Sequence, residues 1–316
     1  MVATRKVRLI RKIAKKLNLR DLEVTKRLDI IGDVAILKVP EALMEARFRL
    51  AQELLKETPS IRTVYRQSSP VSGDYRLREL EWLAGEKRSV TTYKEHGCLV
   101  EVDVQKDYFS PRLARERTII TTQVKNRELA TGTGESIVNM FAGVGTFSLR
   151  IVKETNLSKI FSIDVNPDAF NRMFRNVLTN KMLNRIICAY GDATNLVENV
   201  LRRRADRILM PLPEKAIQYL EPALCALKNE GGVINLQNFV YAGKGTSPID
   251  SSRASLQTKL QSLNCDYEIE DERVIRSVGP GWYQVAHDVR AMPDRSNSCS
   301  FSGKHKKKIL VAASEL

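Results

Sequence analysis

Several features that define large classes of protein are missing from this sequence of 316 residues. No stretch approaches the roughly 18 consecutive apolar residues of a membrane-spanning helix, and residues 1–5 lack the apolar segment of a secretion signal. The five cysteines are odd in number, scattered and without CxxC spacing, which argues against a disulfide framework and a zinc site. These absences predict a cytoplasmic protein with no membrane contact and no bound metal.

Acidic residues are absent from the first 20 residues, which carry eight Lys or Arg. The chain has a formal net charge of +14, and a protein this basic often binds a polyanion, with nucleic acid the leading candidate. Apolar residues recur at helical spacing from Val7 to Leu17, which predicts an amphipathic helix. Its cationic outer face is either a solvated surface or a contact with RNA phosphates, and residues 202–204 form a second basic run.

The most informative segment that is present is 139–147, Asn-Met-Phe-Ala-Gly-Val-Gly-Thr-Phe. It follows a short apolar strand and opens a predicted helix, so Gly143 and Gly145 lie in a turn where a ligand can approach the backbone. Asp164 follows a second predicted strand, and Asp192 follows a third. A carboxylate after the next strand is typical of Rossmann-like domains, where it holds the ribose hydroxyls of a nucleoside ligand.

Strands alternate with helices from about residue 136 to about 290, which indicates a mostly parallel sheet with helices on both faces. The preceding segment, from about 20 to 105, has a compact α+β pattern. We therefore expect an α/β protein in which a Rossmann-like domain follows a smaller α+β domain. The expected divisions are 1–107 for the α+β domain, 108–291 for the Rossmann-like domain and 292–316 for a basic, flexible tail. Residues 242–254 are expected to form an exposed loop.

The turn lacks the third glycine of the dinucleotide-binding GxGxxG pattern, because Phe147 occupies that position. With Asp164-Val-Asn-Pro and Gly-Asp192-Ala, it resembles the cofactor loops of class I methyltransferases, which bind S-adenosylmethionine. The resemblance implies that Asp164 holds the ribose and that Asp192 and Ala193 lie near the adenine. The residues implied on the methionine and ribose side are Asn139, Phe141, Gly143 and Gly145.

Four segments in order resemble the archaeal and eukaryotic tRNA guanine-37 N1-methyltransferase family, which modifies the guanine 3′ to the anticodon. They are residues 29–37, 72–86, 108–117 and 139–147. The resemblance extends from about residue 5 to about 290. It implies methyl transfer from S-adenosylmethionine to N1 of that guanine, with the tRNA anticodon loop as partner. Many members carry a further N-terminal domain that grips the tRNA; this chain is expected to start after it and to be a monomer.

Guanine N1 carries a proton, so a general base must remove it while the methyl group lies in line with the nitrogen. Negative charge then builds on O6, where a cation stabilises it. By motif match, the resemblance places the base at Glu116 and the cation at Arg76. It also implies base contacts from Arg112 and from the loop Pro211-Leu212-Pro213.

Simpler interpretations of the same residues follow from local sequence alone. Glu116 could form a helix ion pair with Arg112 or Arg115. Arg76 could be a surface cation, and Asp164 could cap the helix that begins near Asn166.

Two positions depart from the family pattern. Asn139 stands where the family has Asp, so the position has no charge for the cofactor's ammonium group. Pro211 stands where the family has an Asn that positions the guanine, and proline offers neither a side-chain hydrogen bond nor a backbone donor. Either the missing contact comes from elsewhere, from a main-chain carbonyl, Asn235 or Asn238, or the substrate is not plain guanine.

Three functions therefore stay open at this stage. The first is tRNA guanine-37 N1-methylation. The second is a step of wyosine biosynthesis at the same nucleotide, transferring either the methyl or the aminocarboxypropyl group of the cofactor. The third is a non-catalytic RNA-binding protein with a degenerate cofactor fold.

Overall fold

The computed structural model describes residues 2–19, 28–293 and 310–312. The chain forms two compact units, Met1–Pro111 and Arg112–Leu316. Within the described ranges, no helix combines the length and apolar character needed to cross a membrane.

The described residues of the first unit form two α-helices, a four-stranded sheet and a separate hairpin. A 3₁₀ turn, Glu41–Ala46, leads into α2. The elements are α1 Val2–Lys16, β1 Leu28–Ile31, β2 Val34–Leu37, α2 Arg47–Glu57, β3 Thr63–Gln67, β4 Leu80–Gly85, β5 Val90–Glu95 and β6 Cys98–Asp103. The sheet order is β1-β2-β3-β4, with β2 and β3 parallel and the outer pairs antiparallel.

Helix α1 is amphipathic, as its apolar spacing predicts. Ile10 and Ile13 are buried in the core of the first unit, whereas Arg8, Arg11 and Lys15 are exposed. The helix therefore buries one face against its own unit and turns cations outward.

The second unit is built on one eight-stranded sheet with the order β12-β13-β11-β10-β7-β8-β9-β14. Its elements are α3 Ala114–Thr131, β7 Ser136–Asn139, α4 Thr146–Glu154, β8 Lys159–Asp164, α5 Pro167–Thr179, β9 Ile186–Tyr190, α6 Ala193–Leu196, β10 Arg207–Met210, α7 Leu220–Ala226, β11 Gly232–Tyr241, α8 Pro248–Ser262, β12 Asp266–Gly279, β13 Trp282–Met292 and β14 Leu310–Ala312. The five central strands, from β11 to β9, are parallel. The pairs β12·β13, β13·β11 and β14·β9 are antiparallel.

The structure differs from the sequence predictions at three places in this unit. The long strand β12 was not predicted, because its charged sequence DYEIEDERVIRSVG lacks an apolar face. The predicted loop 242–254 is wrong from residue 248 onward, because α8 starts at Pro248 and is capped by the Ser247 side chain. The predicted flexible tail lies mostly outside the described residues, and its segment Leu310–Ala312 instead pairs with β9.

The cysteines also differ from expectation at one position. Cys98, Cys188 and Cys265 are buried free thiols, and burial raises the pKa of Cys188 to about 12. Cys225 is disulfide-bonded, a bond that the scattered cysteine spacing does not predict.

Candidate functional site

Five parallel strands end side by side, in the order β9-β8-β7-β10-β11. Asn139 ends β7 and Asp164 ends β8. Asp192 lies two residues beyond β9, and Pro211 directly follows β10. Because ligands in such sheets bind beyond the carboxyl ends of the strands, the fold brings the predicted cofactor residues and the predicted base loop to one edge.

The glycine turn between β7 and α4 has the backbone that the sequence predicts. Gly143 and Gly145 have positive φ angles of 56° and 89°, a region that glycine enters without steric cost. A Cβ atom on Gly145 would lie 3.1 Å from Cγ of Met173 on α5. The conformation of Gly145 therefore favours glycine, and a larger residue would also require the Met173 side chain to shift.

Asp164 holds this turn from the end of the neighbouring strand. Its Oδ2 accepts a hydrogen bond from the Gly143 backbone N–H at 2.6 Å, and its Oδ1 accepts one from Asn166 at 2.9 Å. The cap of α5 is Asn166, whose side chain accepts from the Asp168 N–H, so Asp164 is not that cap. Burial raises the pKa of Asp164 to about 6, although three backbone hydrogen bonds oppose the shift. Each carboxylate oxygen can accept further donors, as ribose hydroxyls would require.

Asp192 and an aromatic pair lie beside the turn. Asp192 caps α6 by accepting from the Thr194 N–H at 2.9 Å, and it also accepts from the Tyr219 hydroxyl at 3.1 Å. The Tyr219 ring meets Phe141 edge-on with centroids 5.0 Å apart. Ala193, next to the cap, is buried. These contacts join the turn after β7 to the turn after β9 and give an apolar surface with a carboxylate, which suits an adenosyl group.

Asn139 contributes to the interior behind the turn. Its side chain is fully buried, and Nδ2 donates to the Ser148 hydroxyl at 3.1 Å. That hydroxyl lies 2.7 Å from the Ser162 hydroxyl. The Asn139 Oδ1 is buried and accepts no hydrogen bond from any described residue. The uncharged amide thus lies in an interior place where the neighbouring polar groups among the described residues are the neutral hydroxyls of Ser148 and Ser162.

We call these turns after β7, β8 and β9 the cofactor half of the site. The acceptor half comprises the loop after β10 and the polar residues of α3, β11, β12 and β13 on one face of the sheet.

Glu116 lies in the first turn of α3 and is only 2% exposed. Arg273 of β12 donates to both of its oxygens, from Nε to Oε1 at 3.2 Å and from Nη2 to Oε2 at 2.8 Å. Arg273 also donates to Asp288 of β13 at 2.7 Å. Burial alone would lower the pKa of Arg273, but the bonds to Glu116 and Asp288 outweigh it and raise the pKa. Glu116 therefore forms an ion pair, as the simpler interpretation held, but with a residue of a distant strand.

The same polar cluster continues along the sheet. Asp288 accepts from Asn235 and Gln123, each at 2.6 Å. The Asn235 Oδ1 accepts from Arg207 at 2.8 Å, and its Nδ2 also donates to Gln123. Arg207 in turn donates to Glu135 at 2.6 Å. Asn235 thus directs both amide hydrogens to groups of the protein and has no donor left for a substrate base.

The loop Pro211-Leu212-Pro213 is fixed at both ends. The Leu212 carbonyl accepts from Ala216 at 3.0 Å, and the Pro213 carbonyl accepts from the Phe239 N–H of β11 at 3.2 Å. Pro211 and Leu212 are half-buried, whereas Pro213 is buried. The carbonyls of Leu212 and Pro213 are therefore already engaged with backbone donors.

Arg76 belongs to the first unit, within Met1–Pro111. Its side chain is 9% exposed and its guanidinium lies 3.9 Å from the centroid of the Tyr108 ring, so it is not a surface cation. Its backbone adopts φ 55°, which is uncommon for a residue other than glycine and is typical of constrained sites. Arg112, at the start of the second unit, is exposed.

Sequence reasoning missed several members of the acceptor half. Arg273 and Asp288 were not predicted, because β12 was not recognised and its charges resemble those of a solvated segment. A pairing of β12 with β13 would have been the signal, since their register brings Arg273 opposite Ala286 and Asp271 opposite Asp288. Among the described residues, no cluster of three or more His, Cys, Asp or Glu could hold a metal ion.

The fold and the strand-end geometry define a class I methyltransferase. A family model described as the TRM5/TYW2 methyltransferase domain matches residues 91–264, and one described as the TYW2 N-terminal domain matches residues 9–88. The chain belongs to the TRM5/TYW2 methyltransferase family. The predicted fold class and S-adenosylmethionine as the cofactor of this family are confirmed.

Relatives with different reactions are similar to this chain. It is 36% identical over 274 residues to the tRNA 4-demethylwyosine(37)-methyltransferase Taw21 of Saccharolobus solfataricus. That match covers 85% of this chain and 95% of that protein. It is 34% identical over 262 residues to the tRNA (guanine(37)-N(1))-methyltransferase Trm5b of Pyrococcus abyssi, covering 83% and 74%. A third relative, 28% identical over 260 residues, is the tRNA(Phe) (4-demethylwyosine(37)-C(7)) aminocarboxypropyltransferase of Methanocaldococcus jannaschii, covering 82% and 96%.

The solved structures that resemble this chain also include both Trm5 and TYW2 proteins. A complex of aTrm5 and tRNALeu has a TM-score of 0.74 at 31% identity, covering 89% of this chain and 77% of that one. The Pyrococcus horikoshii TYW2 in complex with MeSAdo has a TM-score of 0.71 at 26% identity, covering 90% and 100%. The predicted relation to the guanine N1 enzymes is thus confirmed at the level of the broader TRM5/TYW2 family.

Proposed function

We propose that this protein transfers the methyl group of S-adenosylmethionine to the base at position 37 of tRNA, and that its acceptor is a tricyclic wyosine precursor. The observation that carries the choice of acceptor is Pro211, which occupies the place of the family's guanine-positioning Asn. The neighbouring amide of Asn235 cannot replace it, because both ends of that amide are bound within the protein. The similarity to a 4-demethylwyosine methyltransferase over 95% of that relative supports the same choice.

The cofactor half supplies the binding. Asp164 would accept hydrogen bonds from the ribose hydroxyls, and Asp192 with Phe141 would lie beside the adenine. S-adenosylmethionine supplies an electrophilic methyl group on a sulfonium. A fixed position for that group lets the acceptor atom approach in line, and this alignment is the main contribution of the bound geometry.

The acceptor half supplies a proton acceptor. Methylation of a ring atom that bears a proton requires its removal, and the Glu116 carboxylate is the proposed base. Arg273 holds both carboxylate oxygens and is itself held by Asp288. This arrangement fixes the carboxylate's orientation, as a general base requires.

Arg76 is the proposed cation for the negative charge that develops on the base carbonyl. Its guanidinium lies over the Tyr108 ring at 3.9 Å from the centroid, a cation–π contact that helps to hold the group in place. Arg112 is exposed and remains a proposed contact to the substrate.

The RNA surface proposed for the first unit is the outward face of α1. Lys12 and Lys16 pair with Glu57 and Glu53 of α2, so part of the positive charge of the helix is neutralised. Arg8, Arg11 and Lys15 are exposed and form no ion pair with a described residue. These three cations are the proposed phosphate contacts, and their replacement should reduce the salt dependence of tRNA binding. A monomer that engages the anticodon loop stays a prediction.

A second candidate is N1-methylation of unmodified guanine. The observation in its favour is that both motif residues of that reaction, Glu116 and Arg76, are present and held by defined contacts. The 34% identity to a guanine N1-methyltransferase supports it as well.

The two candidates differ in the tRNA that receives label. The protein is incubated with methyl-labelled S-adenosylmethionine and three tRNAs, carrying guanine, adenine or 4-demethylwyosine at position 37, and the nucleosides are analysed. We expect label on 4-demethylwyosine. Label confined to guanine, recovered as 1-methylguanosine, would contradict the proposal and support the second candidate.

A parallel reaction with carboxyl-labelled cofactor identifies the group that moves. Carboxyl label on the tRNA would show aminocarboxypropyl transfer and overturn methyl transfer. Binding of all three tRNAs without transfer of either label would favour the non-catalytic alternative.

A further inference from the structure

The loop that carries Pro211 runs alongside one particular residue of β11. Met210, the last residue of β10, pairs with Leu236, and the Pro213 carbonyl accepts from the Phe239 N–H. Gln237 and Asn238 lie between these two attachment points, and Gln237 directly follows Leu236 as Pro211 directly follows Met210. Gln237 is therefore the β11 residue next to the place where the family's base-positioning Asn is missing.

Gln237 also faces the correct side of the sheet. Side chains alternate along a strand, so Gln237 shares a face with Asn235, whose amide joins the cluster that holds Glu116. The register across the antiparallel strands places Gln237 opposite Ala286, and Ala286 opposite Arg273. Gln237 and the arginine that binds Glu116 thus lie in one row, about 10 Å apart at two strand spacings, with only a small alanine side chain between them.

The direction of the Gln237 amide is fixed by a chain of hydrogen bonds that starts at an arginine. Arg276 Nε donates to the Gln284 Oε1 at 2.8 Å. Because a guanidinium only donates, the oxygen of Gln284 must face Arg276. The Gln284 Nε2 then donates to the Gln237 Oε1 at 2.8 Å, and the Gln237 Nε2 is left as the outward atom.

That outward atom is an N–H donor in a residue that is 3% exposed. No described residue accepts a hydrogen bond from the Gln237 Nε2. The described atoms that are completely buried and lack a partner do not include this nitrogen, so it keeps some exposure. A nearly buried amide whose N–H group is held in one direction and has no partner can recognise a ligand. Such a group disfavours ligands that cannot accept its hydrogen bond.

We propose that Gln237 replaces the missing Asn and donates a hydrogen bond from Nε2 to the carbonyl oxygen of the target base. The inference rests on the proposed function. A carbonyl of this kind is present in guanine and in tricyclic bases built on guanine, and it gains negative charge when the ring is deprotonated. A donor aimed at that oxygen therefore both selects an oxopurine and assists the transfer.

The test compares two replacements of Gln237 in the full chain. Gln237→Glu keeps an oxygen that accepts from Gln284 but turns the outward donor into an acceptor; Gln237→Leu removes the amide. Single-turnover methyl transfer is measured on the tRNA that the wild-type protein methylates. The matched control is Gln261→Glu, the same change at an exposed position of α8.

We expect both variants to lose on the order of 10²-fold in transfer rate, with Gln237→Glu at least as impaired as Gln237→Leu. Cofactor affinity by calorimetry and the thermal midpoint of Gln237→Glu should match those of the control. A purely structural role predicts the reverse order, since Gln237→Glu retains the bond from Gln284. A Gln237→Glu rate within about twofold of wild type, on a wild-type protein that methylates position 37, would overturn this inference and leave the proposed function intact. A wild-type protein that modifies no position-37 tRNA would remove both.

Discussion

The cofactor half and the acceptor half lie along the same sheet edge, but their polar contacts span very different distances along the chain. In the cofactor half, Asp164 meets Gly143 across 21 residues and Tyr219 meets Asp192 across 27. In the acceptor half, Arg273 meets Glu116 across 157 residues. The cofactor half is therefore encoded in consecutive strand-turn-helix units, whereas the acceptor half depends on a pairing between the ends of the domain.

This difference also separates what is common to a class from what is particular to a protein. A turn with two glycines and a carboxylate one strand later serves any reaction that uses the same cofactor. The residues around the base decide which base is accepted, and in our proposals these residues include Pro211 and Gln237.

The largest expected effect is on the acceptor half, from Glu116→Gln. The amide keeps the size of the side chain but cannot accept a proton at neutral pH, so turnover should fall by about 10²- to 10⁴-fold. Arg273 keeps its bonds to Asp288, and cofactor affinity should change little. Single-turnover transfer and calorimetry measure the two effects, with exposed Glu230→Gln as the control. Turnover equal to that of the control would remove Glu116 as the base.

The matching experiment on the cofactor half is Asp164→Asn. Loss of charged hydrogen bonds of about 1.5–3 kcal/mol each should weaken S-adenosylmethionine binding by at least roughly tenfold at pH 7.5. Because the folded pKa of Asp164 is about 6, the wild-type carboxyl becomes protonated below that pH. Its affinity should then fall towards that of the variant, whose affinity should not change between pH 7.5 and 5. Calorimetry across this range decides it: a flat wild-type profile would argue against the ribose role.

A smaller effect is expected from Asn139→Asp, which restores the family residue at the end of β7. The side chain is fully buried, and among the described residues it bonds only to the Ser148 hydroxyl. An uncompensated carboxylate there should cost about 1–3 kcal/mol of unfolding free energy at pH 7. Urea unfolding at pH 7 and pH 4.5 tests this, because the cost should shrink as the buried carboxyl is protonated. A variant more stable than wild type at pH 7 would show that the site accommodates a charge.

The smallest effect concerns His287, one residue from Asp288 but on the opposite face of β13. It is buried between Ser252 and Glu272, at 2.7 and 2.8 Å, and burial lowers its pKa although Glu272 opposes the shift. His287 therefore binds a proton more readily in the unfolded chain than in the folded chain. The free energy of unfolding should fall as the pH drops below about 6.5. Replacement by Gln should flatten this loss, by about 1 kcal/mol or less between pH 7.5 and 5.5. Urea midpoints at these two pH values measure it, and equal slopes for both proteins would contradict the assignment.

Sequence could predict the cofactor half because its signals are local. Each signal lies within one strand-turn-helix unit, where the local sequence sets its position. The signals are the strand that ends at Asn139, the glycines at 143 and 145 and the carboxylate at 164. Prediction failed where a long-range partner decides the structure. The charges of β12 resemble a solvated segment until its pairing with β13 is known, and only that pairing shows that Arg273 is the partner of Glu116.

Side-chain direction was the other unpredictable quantity. From sequence, Asn235 and Asn238 are equally good candidates for a hydrogen bond to the base. In the structure, the side-chain amide of Asn235 is bound by Arg207, Gln123 and Asp288. Gln237 lies between these two asparagines in the sequence and is not among the base contacts predicted from sequence. Its role depends on which end of an amide faces outward, and that is set by an arginine on another strand.

The pairing of Glu116 with the β12–β13 hairpin also bears on how the protein is made. During synthesis, Glu116 emerges 157 residues before Arg273, whereas the turns of the cofactor half are complete once Tyr219 has emerged. A nascent chain can therefore assemble its nucleoside pocket first, while the carboxylate of α3 has no partner until the hairpin is translated. The contacts that orient the Glu116 carboxylate therefore form late in synthesis, after those of the cofactor half.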